Sequence, residues 1–201
     1  MGPDAARHDT DASAPRRGAG ARLSRTTRLL HWGVGLSVLG MLAGGYWLRG
    51  MPGGPDKSAL VQVHKSFGML VLAAALARLI WRIREGLPRP LQSHPPLARR
   101  VAAGVHGALI AATLAMPLSG IGRSLAYARP VAVFGWPVIP QMVERKHEPL
   151  SVAFSGLHDW LALVLAVGIG LHALAAFKHH LIDRDETLRR MVGWPAGGCG
   201  R

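Results

Sequence analysis

Leu157-His-Asp-Trp-Leu-Ala-Leu-Val-Leu-Ala-Val-Gly-Ile-Gly-Leu-His-Ala-Leu-Ala-Ala-Phe177 reads as one apolar helix. It carries a histidine near its start, His158, and a second fourteen residues on, His172. Fourteen residues is close to four helical turns, so both imidazoles project to the same side, about 21 Å apart along the axis. In a hydrocarbon layer about 30 Å thick, that places one histidine toward each surface. Such a helix can supply one ligand to each of two stacked metal centres, provided other segments bring partners to the same depths.

The composition agrees with a membrane setting. The chain has 201 residues, 49% of them hydrophobic, with a formal net charge of +13. Its mean hydropathy is nevertheless positive. These facts are reconciled by position: the charges lie at the ends of long apolar runs and between them, as in a polytopic membrane protein. A basic soluble protein that binds nucleic acid would spread Lys and Arg over amphipathic faces instead. The single cysteine, Cys199, permits no disulfide within the chain, and no Cys-x-x-Cys-His is present to attach a haem covalently.

Residues 1–22 lack periodicity and read as a disordered basic tail with no signal peptide. Residues 193–201 read as a C-terminal tail. Between them, residues 23–192 form an all-α, membrane-embedded four-helix bundle, with spans at Leu29–Leu48, Val63–Ile83, Val101–Ile121 and Phe154–Phe177. Arginines and lysines concentrate in the N-terminal tail, in the link between spans two and three, and after span four. The positive-inside rule then puts both termini in the cytoplasm. The apolar, Pro-rich stretch Pro130–Pro140 is too short to span. It reads as an interfacial segment covering one bundle end, or as a lid that keeps water off a cofactor edge.

Ionisable residues inside a bilayer are costly and usually functional. His31 lies near the cytoplasmic start of span one, His64 near the periplasmic start of span two, and His106 near the cytoplasmic start of span three. Depth therefore pairs His64 with His158 outside and His31 with His172 inside. Zinc or copper would call for three or four clustered protein ligands. Two axial imidazoles with a porphyrin completing the set fit better, and bis-imidazole haem favours electron transfer over oxygen binding. Glycines 33, 35, 68, 168 and 170 would make room for the rings. His106 could replace His31 or His172 as inner ligand but reads rather as a supporting hydrogen-bond donor or quinone contact, and Arg78 as a partner for a haem propionate or a quinone oxygen. Trp81 and Trp160 read as interface anchors or edges of a quinone pocket. His147, His179 and His180 read as loop or interfacial residues.

Several strings carry a family resemblance: Arg28-Leu-Leu-His-Trp32, Val63-His-Lys-Ser-Phe-Gly68, Met116-Pro-Leu-Ser-Gly120, Phe134-Gly-Trp-Pro137, His158-Asp-Trp160, and Lys178-His-His-Leu-Ile-Asp-Arg-Asp-Glu-Thr-Leu-Arg-Arg-Met191. Over residues 24–192 the chain resembles the bacterial cytochrome b561 proteins, which are four-helical and di-haem. The resemblance implies two haem b groups, an inner one on His31 and His172 and an outer one on His64 and His158. It also implies a place in a bacterial inner membrane and exchange of electrons with ubiquinone. The nearest functional reading is superoxide oxidation at the periplasmic face coupled to ubiquinone reduction. Lys65 and a cationic rim would attract the anion there. The alternatives are a quinol-oxidising cytochrome or anchor subunit serving a periplasmic redox protein and, from another class, a transmembrane metal-ion transporter.

Overall fold

The computed structural model describes residues 23–86 and 96–194. Four long helices, α1 (Arg25–Gly50), α2 (Pro55–Glu85), α3 (Pro96–Ala126) and α4 (Glu148–Leu181), account for most of them. All four are long and apolar enough to cross a membrane. They extend past the spans expected from hydropathy. The 34 residues of α4 measure about 51 Å against a hydrocarbon layer of about 30 Å, so its ends project beyond the apolar slab. His158 consequently sits ten residues inside the helix rather than at its start. The tail at residues 1–22 and Cys199 lie outside the described residues.

Local chemistry explains the helix ends. Ser24 caps α1 by accepting a hydrogen bond from the Thr27 amide at 3.1 Å. Pro55 opens α2, where its missing N–H costs nothing, and Asp56 complements the positive end of the helix. His147, read from the sequence as a loop residue, is the N-cap of α4.

Within the bundle, α3 packs along α4 and α1 along α2, while α2 also contacts α3. The core is a mid-depth cluster of Val34, Val38, Val71, Ala75, Ala112 and Leu165. Leu165 lies seven residues from each of His158 and His172, on their face of α4, and is almost wholly buried. The other buried positions are mostly small, including Ser66, Ser119, Ser151 and Ala126. Small residues permit close helix approach, which drives association where lipid removes the hydrophobic driving force. Leu163, Val167, Leu171 and Leu174 are exposed on the outer side of α4, as a lipid-facing surface requires.

The segment after α3 forms a β-hairpin. Val131–Val133 (β1) and Trp136–Ile139 (β2) pair antiparallel, with Val133 opposite Trp136. The two turn residues, Phe134 (φ 48°) and Gly135 (φ 91°), both have positive φ, the hairpin geometry that matches strand twist. The hairpin packs on α2. The Phe134 amide donates to Ser66 Oγ at 2.9 Å. Lys65 Nζ donates to the Pro130 carbonyl at 2.9 Å. The Phe67 and Phe134 rings meet edge to face at 5.4 Å.

At the opposite end, a short helix α5 (Thr187–Val192) folds back on the start of α1. Trp32 Nε1 donates to the Met191 carbonyl at 3.1 Å, and Arg28 Nη1 to the Val192 carbonyl at 3.4 Å. The start of α1 and the end of the described chain therefore share one end of the bundle, called the terminal end below. The other is the hairpin end.

Candidate functional site

The five histidines within the spans fall into two groups, one per end. At the hairpin end the His64 and His158 rings face each other with centroids 6.5 Å apart. At the terminal end His31 and His172 are 6.1 Å apart. Among the described residues, α1 and α4 make few close backbone approaches, and α2 and α4 fewer still. The imidazoles thus face each other across gaps rather than packed backbones. A metal about 2 Å from a nitrogen of each ring would set the ring centres about 6 Å apart, the separation of both pairs.

His106 joins the terminal group. Its ring lies 5.2 Å from that of His172 and nearly perpendicular to it. That is closer than the roughly 6 Å that two imidazoles on opposite sides of one metal would keep. Its Nδ1 is held by the Ala102 carbonyl, one turn back, at 2.6 Å.

Two glycines admit the hairpin-end rings. A Cβ at position 45 would come 3.3 Å from His64 Cε1, and one at position 120 would come 3.2 Å from His158 Cε1. These are tighter than ordinary carbon contacts. The surroundings of the glycines singled out in the sequence vary. The space beside Gly68 is taken by Met41 and that beside Gly168 by Leu109, while nothing stands within 4 Å beside Gly33, Gly35 or Gly170. Gly45 and Gly120 each lie at the depth of the histidine they border, and Gly120 is the one that nothing in the sequence singles out.

His158 has one further partner. Its Nδ1 is 2.9 Å from Ser119 Oγ, and that hydroxyl donates to the Met116 carbonyl at 2.7 Å.

Arg78 Nη2 lies 3.0 Å from His31 Nδ1. Together they line an open-sided pocket with Thr27, Leu30, Trp81, Arg82 and Met191. The Trp81 indole N–H is engaged there, donating to Thr27 Oγ1 at 3.1 Å and to Glu85 at 3.0 Å. The Thr27 hydroxyl also donates to Glu85, so the three residues tie α1 to α2 beneath the pocket. Trp160, by contrast, is exposed on α4.

The Lys65 ammonium is less free than the sequence suggested, because one of its protons goes to the hairpin. Of the other cations at that end, Arg49 faces Asp159 at 3.5 Å and Lys146 faces Glu148 at 2.9 Å. Seven cations stand there against four carboxylates, so these pairs leave a positive excess.

Beyond the spans, His179 Nδ1 lies 2.9 Å from Asp183 and 3.0 Å from Asp185. Lys178 donates to both Asp183 oxygens, at 2.9 and 2.7 Å. That hydrogen-bonded ammonium holds the Asp183 carboxyl below the usual range. These residues fix the turn between α4 and α5.

Comparison with known proteins is consistent along the chain. A family profile described as prokaryotic cytochrome b561 matches residues 22–194. Cytochrome b561 homolog 2 of Escherichia coli (strain K12) is 36% identical over 173 residues, covering 85% of this chain and 90% of the relative. A protein named probable superoxide oxidase CybB from Yersinia pestis is 28% identical over 163 residues, 81% of this chain and 91% of that protein. Cytochrome b561 homolog 1 of E. coli is 28% identical over 173 residues, 85% and 97% of the two chains.

Proposed function

Because the chain belongs to the prokaryotic cytochrome b561 family, whose members are haem b-binding membrane electron-transfer proteins, we propose that it holds two haem b groups and moves electrons from superoxide to ubiquinone. The carrying observation is the pair of facing imidazole couples, 6.1 and 6.5 Å between ring centres, one at each end of the bundle. His64 and His158 are the ligands at the hairpin end, His31 and His172 those at the terminal end. Both separations suit one iron between two nitrogens. Among the described residues neither couple gathers a third His, Cys, Asp or Glu donor close enough to share a metal, and a set of two nitrogens suits an iron whose remaining ligands a porphyrin would provide. Each haem, when bound, would supply a one-electron couple, and two protein nitrogens on its iron would favour electron transfer over oxygen binding.

The chain's own residues then have distinct tasks. Val34, Val38, Val71, Ala75, Ala112 and Leu165 fill the level between the two couples and exclude water from it. The positive excess at the hairpin end, placed on the periplasmic side, raises the encounter rate with a small anion. Lys65 belongs to that field and also secures the hairpin. At the terminal end, on the cytoplasmic side with both termini, the pocket beside His31 and Arg78 receives the quinone ring. Its guanidinium can donate to a quinone oxygen there. Two superoxide ions lose one electron each and leave as oxygen. The quinone gains those two electrons and two protons and leaves as quinol.

Superoxide is favoured as donor by the net cationic hairpin end and by the likeness to the Yersinia protein. The test is stopped-flow decay of superoxide with the purified, haem-loaded chain and oxidised ubiquinone. Accelerated decay with one quinol formed per two superoxide ions is expected. Decay at the rate given by an unrelated haem protein, with no quinol, would remove superoxide as substrate. The family assignment would survive that result.

A further inference from the structure

We infer that Ser119 is a positioning residue for His158: its hydroxyl fixes which ring nitrogen faces the gap and tunes the iron held there. The inference rests on the proposed ligation by His64 and His158. Ser119 has a single proton, and the Met116 carbonyl, which can only accept, takes it at 2.7 Å. The Ser119 oxygen is left with lone pairs, 2.9 Å from His158 Nδ1. The matching proton must therefore come from the imidazole. His158 is held as its Nδ1–H tautomer, and Nε2 keeps a free lone pair for a metal. Ser119 is almost wholly buried, so water does not compete for these bonds.

The local sequence builds this seat. Pro117, inside α3, has no N–H to offer the Thr113 carbonyl, which loosens the helix one turn before Ser119. Gly120 follows, and its missing side chain lets the ring approach α3. Pro117, Ser119 and Gly120 thus act on one imidazole from one helix, while the iron would lie on the ring's other side. A neutral ligand that donates from its far nitrogen is a more basic ligand. It stabilises the ferric form and lowers the potential. Among the described residues no such hydroxyl bond is made by the other three histidines.

The experiment is a redox titration of the haem-loaded chain, followed optically, on wild type, Ser119→Ala and Ser119→Thr. Removing the hydroxyl should shift the redox equilibrium of one haem about three- to tenfold toward the ferrous form. At 59 mV per tenfold, that is a rise of roughly 30–60 mV in one potential only. Ser119→Thr, which keeps the hydroxyl, should stay near wild type. Loss of one haem from Ser119→Ala, with retention in Ser119→Thr, supports the same role. Two unmoved potentials in Ser119→Ala, or equal shifts in both variants, would overturn it while leaving the haem reading intact. A wild-type chain that binds no haem would overturn the haem reading and this role with it.

Discussion

Gly120→Ala is the most informative small perturbation of the hairpin-end site. The added methyl would lie 3.2 Å from His158 Cε1 and 3.5 Å from Nδ1. Carbon pairs settle at about 3.5–4.0 Å, so the ring must withdraw from α3 by about 0.3 Å. Ser119 sits on the same helix, and its 2.9 Å bond to the ring would stretch with that withdrawal. It would reach about 3.2 Å, the far limit of a good hydrogen bond. Disturbed support of a metal-binding imidazole costs roughly ten- to a hundredfold in affinity, and a stretched bond should fall at the lower end, about tenfold. Helix propensity pulls the other way, since replacing a mid-helix glycine by alanine is worth about 0.5–1 kcal/mol. The two effects are separable because one acts on the bundle and the other on the ligand. Haem transfer to a scavenging protein measures the second, and thermal unfolding measures the first. Gly120→Ala should release one haem about tenfold faster with an unchanged or slightly raised melting temperature. Gly156→Ala, on the outer side of α4 with nothing within 4 Å, is the control and should release both at the wild-type rate. Equal release from both variants would refute the reasoning.

Three further outcomes follow from particular contacts. Ser66→Ala leaves the Phe134 amide without its acceptor and should loosen the hairpin by about 1–3 kcal/mol, read as faster hydrogen exchange over residues 131–139. Unchanged exchange there would mean that Ser66 does not hold the hairpin. The depressed Asp183 carboxyl stabilises the folded α4–α5 turn above the ordinary aspartate pKa, near 4. That stability is lost as pH falls below this value and through the lower folded one. Exchange in residues 187–192 should therefore rise on acidification below about pH 4 in wild type. In Asp183→Asn it should be raised already at neutral pH and depend less on pH; identical profiles would exclude the Lys178 pair as the cause. Finally, if the cationic rim steers superoxide, the bimolecular rate should fall as salt rises from about 0.01 to 0.15 M, where the Debye length shrinks from about 30 to 8 Å. A rate indifferent to salt would leave the rim no steering role.

Much of this arrangement is legible in the chain because bilayer depth is a one-dimensional coordinate. The fourteen-residue spacing of His158 and His172, and the positions of His31 and His64 within their spans, suffice to pair them, and the structure brings the same residues face to face. Features that depend on the other two dimensions are not legible. Gly68 and Gly168 have the right depth but the wrong azimuth, and their space goes to Met41 and Leu109. The hairpin escapes notice because its turn, Phe134-Gly135, lacks the usual Asn-Gly or Asp-Gly signal and Pro137 interrupts its second strand. Trp81 looks like a pocket edge until its N–H is found between Thr27 and Glu85. The role of Ser119 could have been suspected, since a hydroxyl at the depth of His158 in an otherwise apolar helix needs a partner.

The central claim is that each end of the bundle grips its own iron porphyrin through its own two imidazoles. Haem content per chain, measured in purified wild type, His158→Ala, His172→Ala and the double variant, tests it most directly. Two haems are expected in wild type, one in each single variant with a different spectrum retained, and none in the double variant. A colourless wild-type chain, or a double variant that keeps both haems, would contradict it.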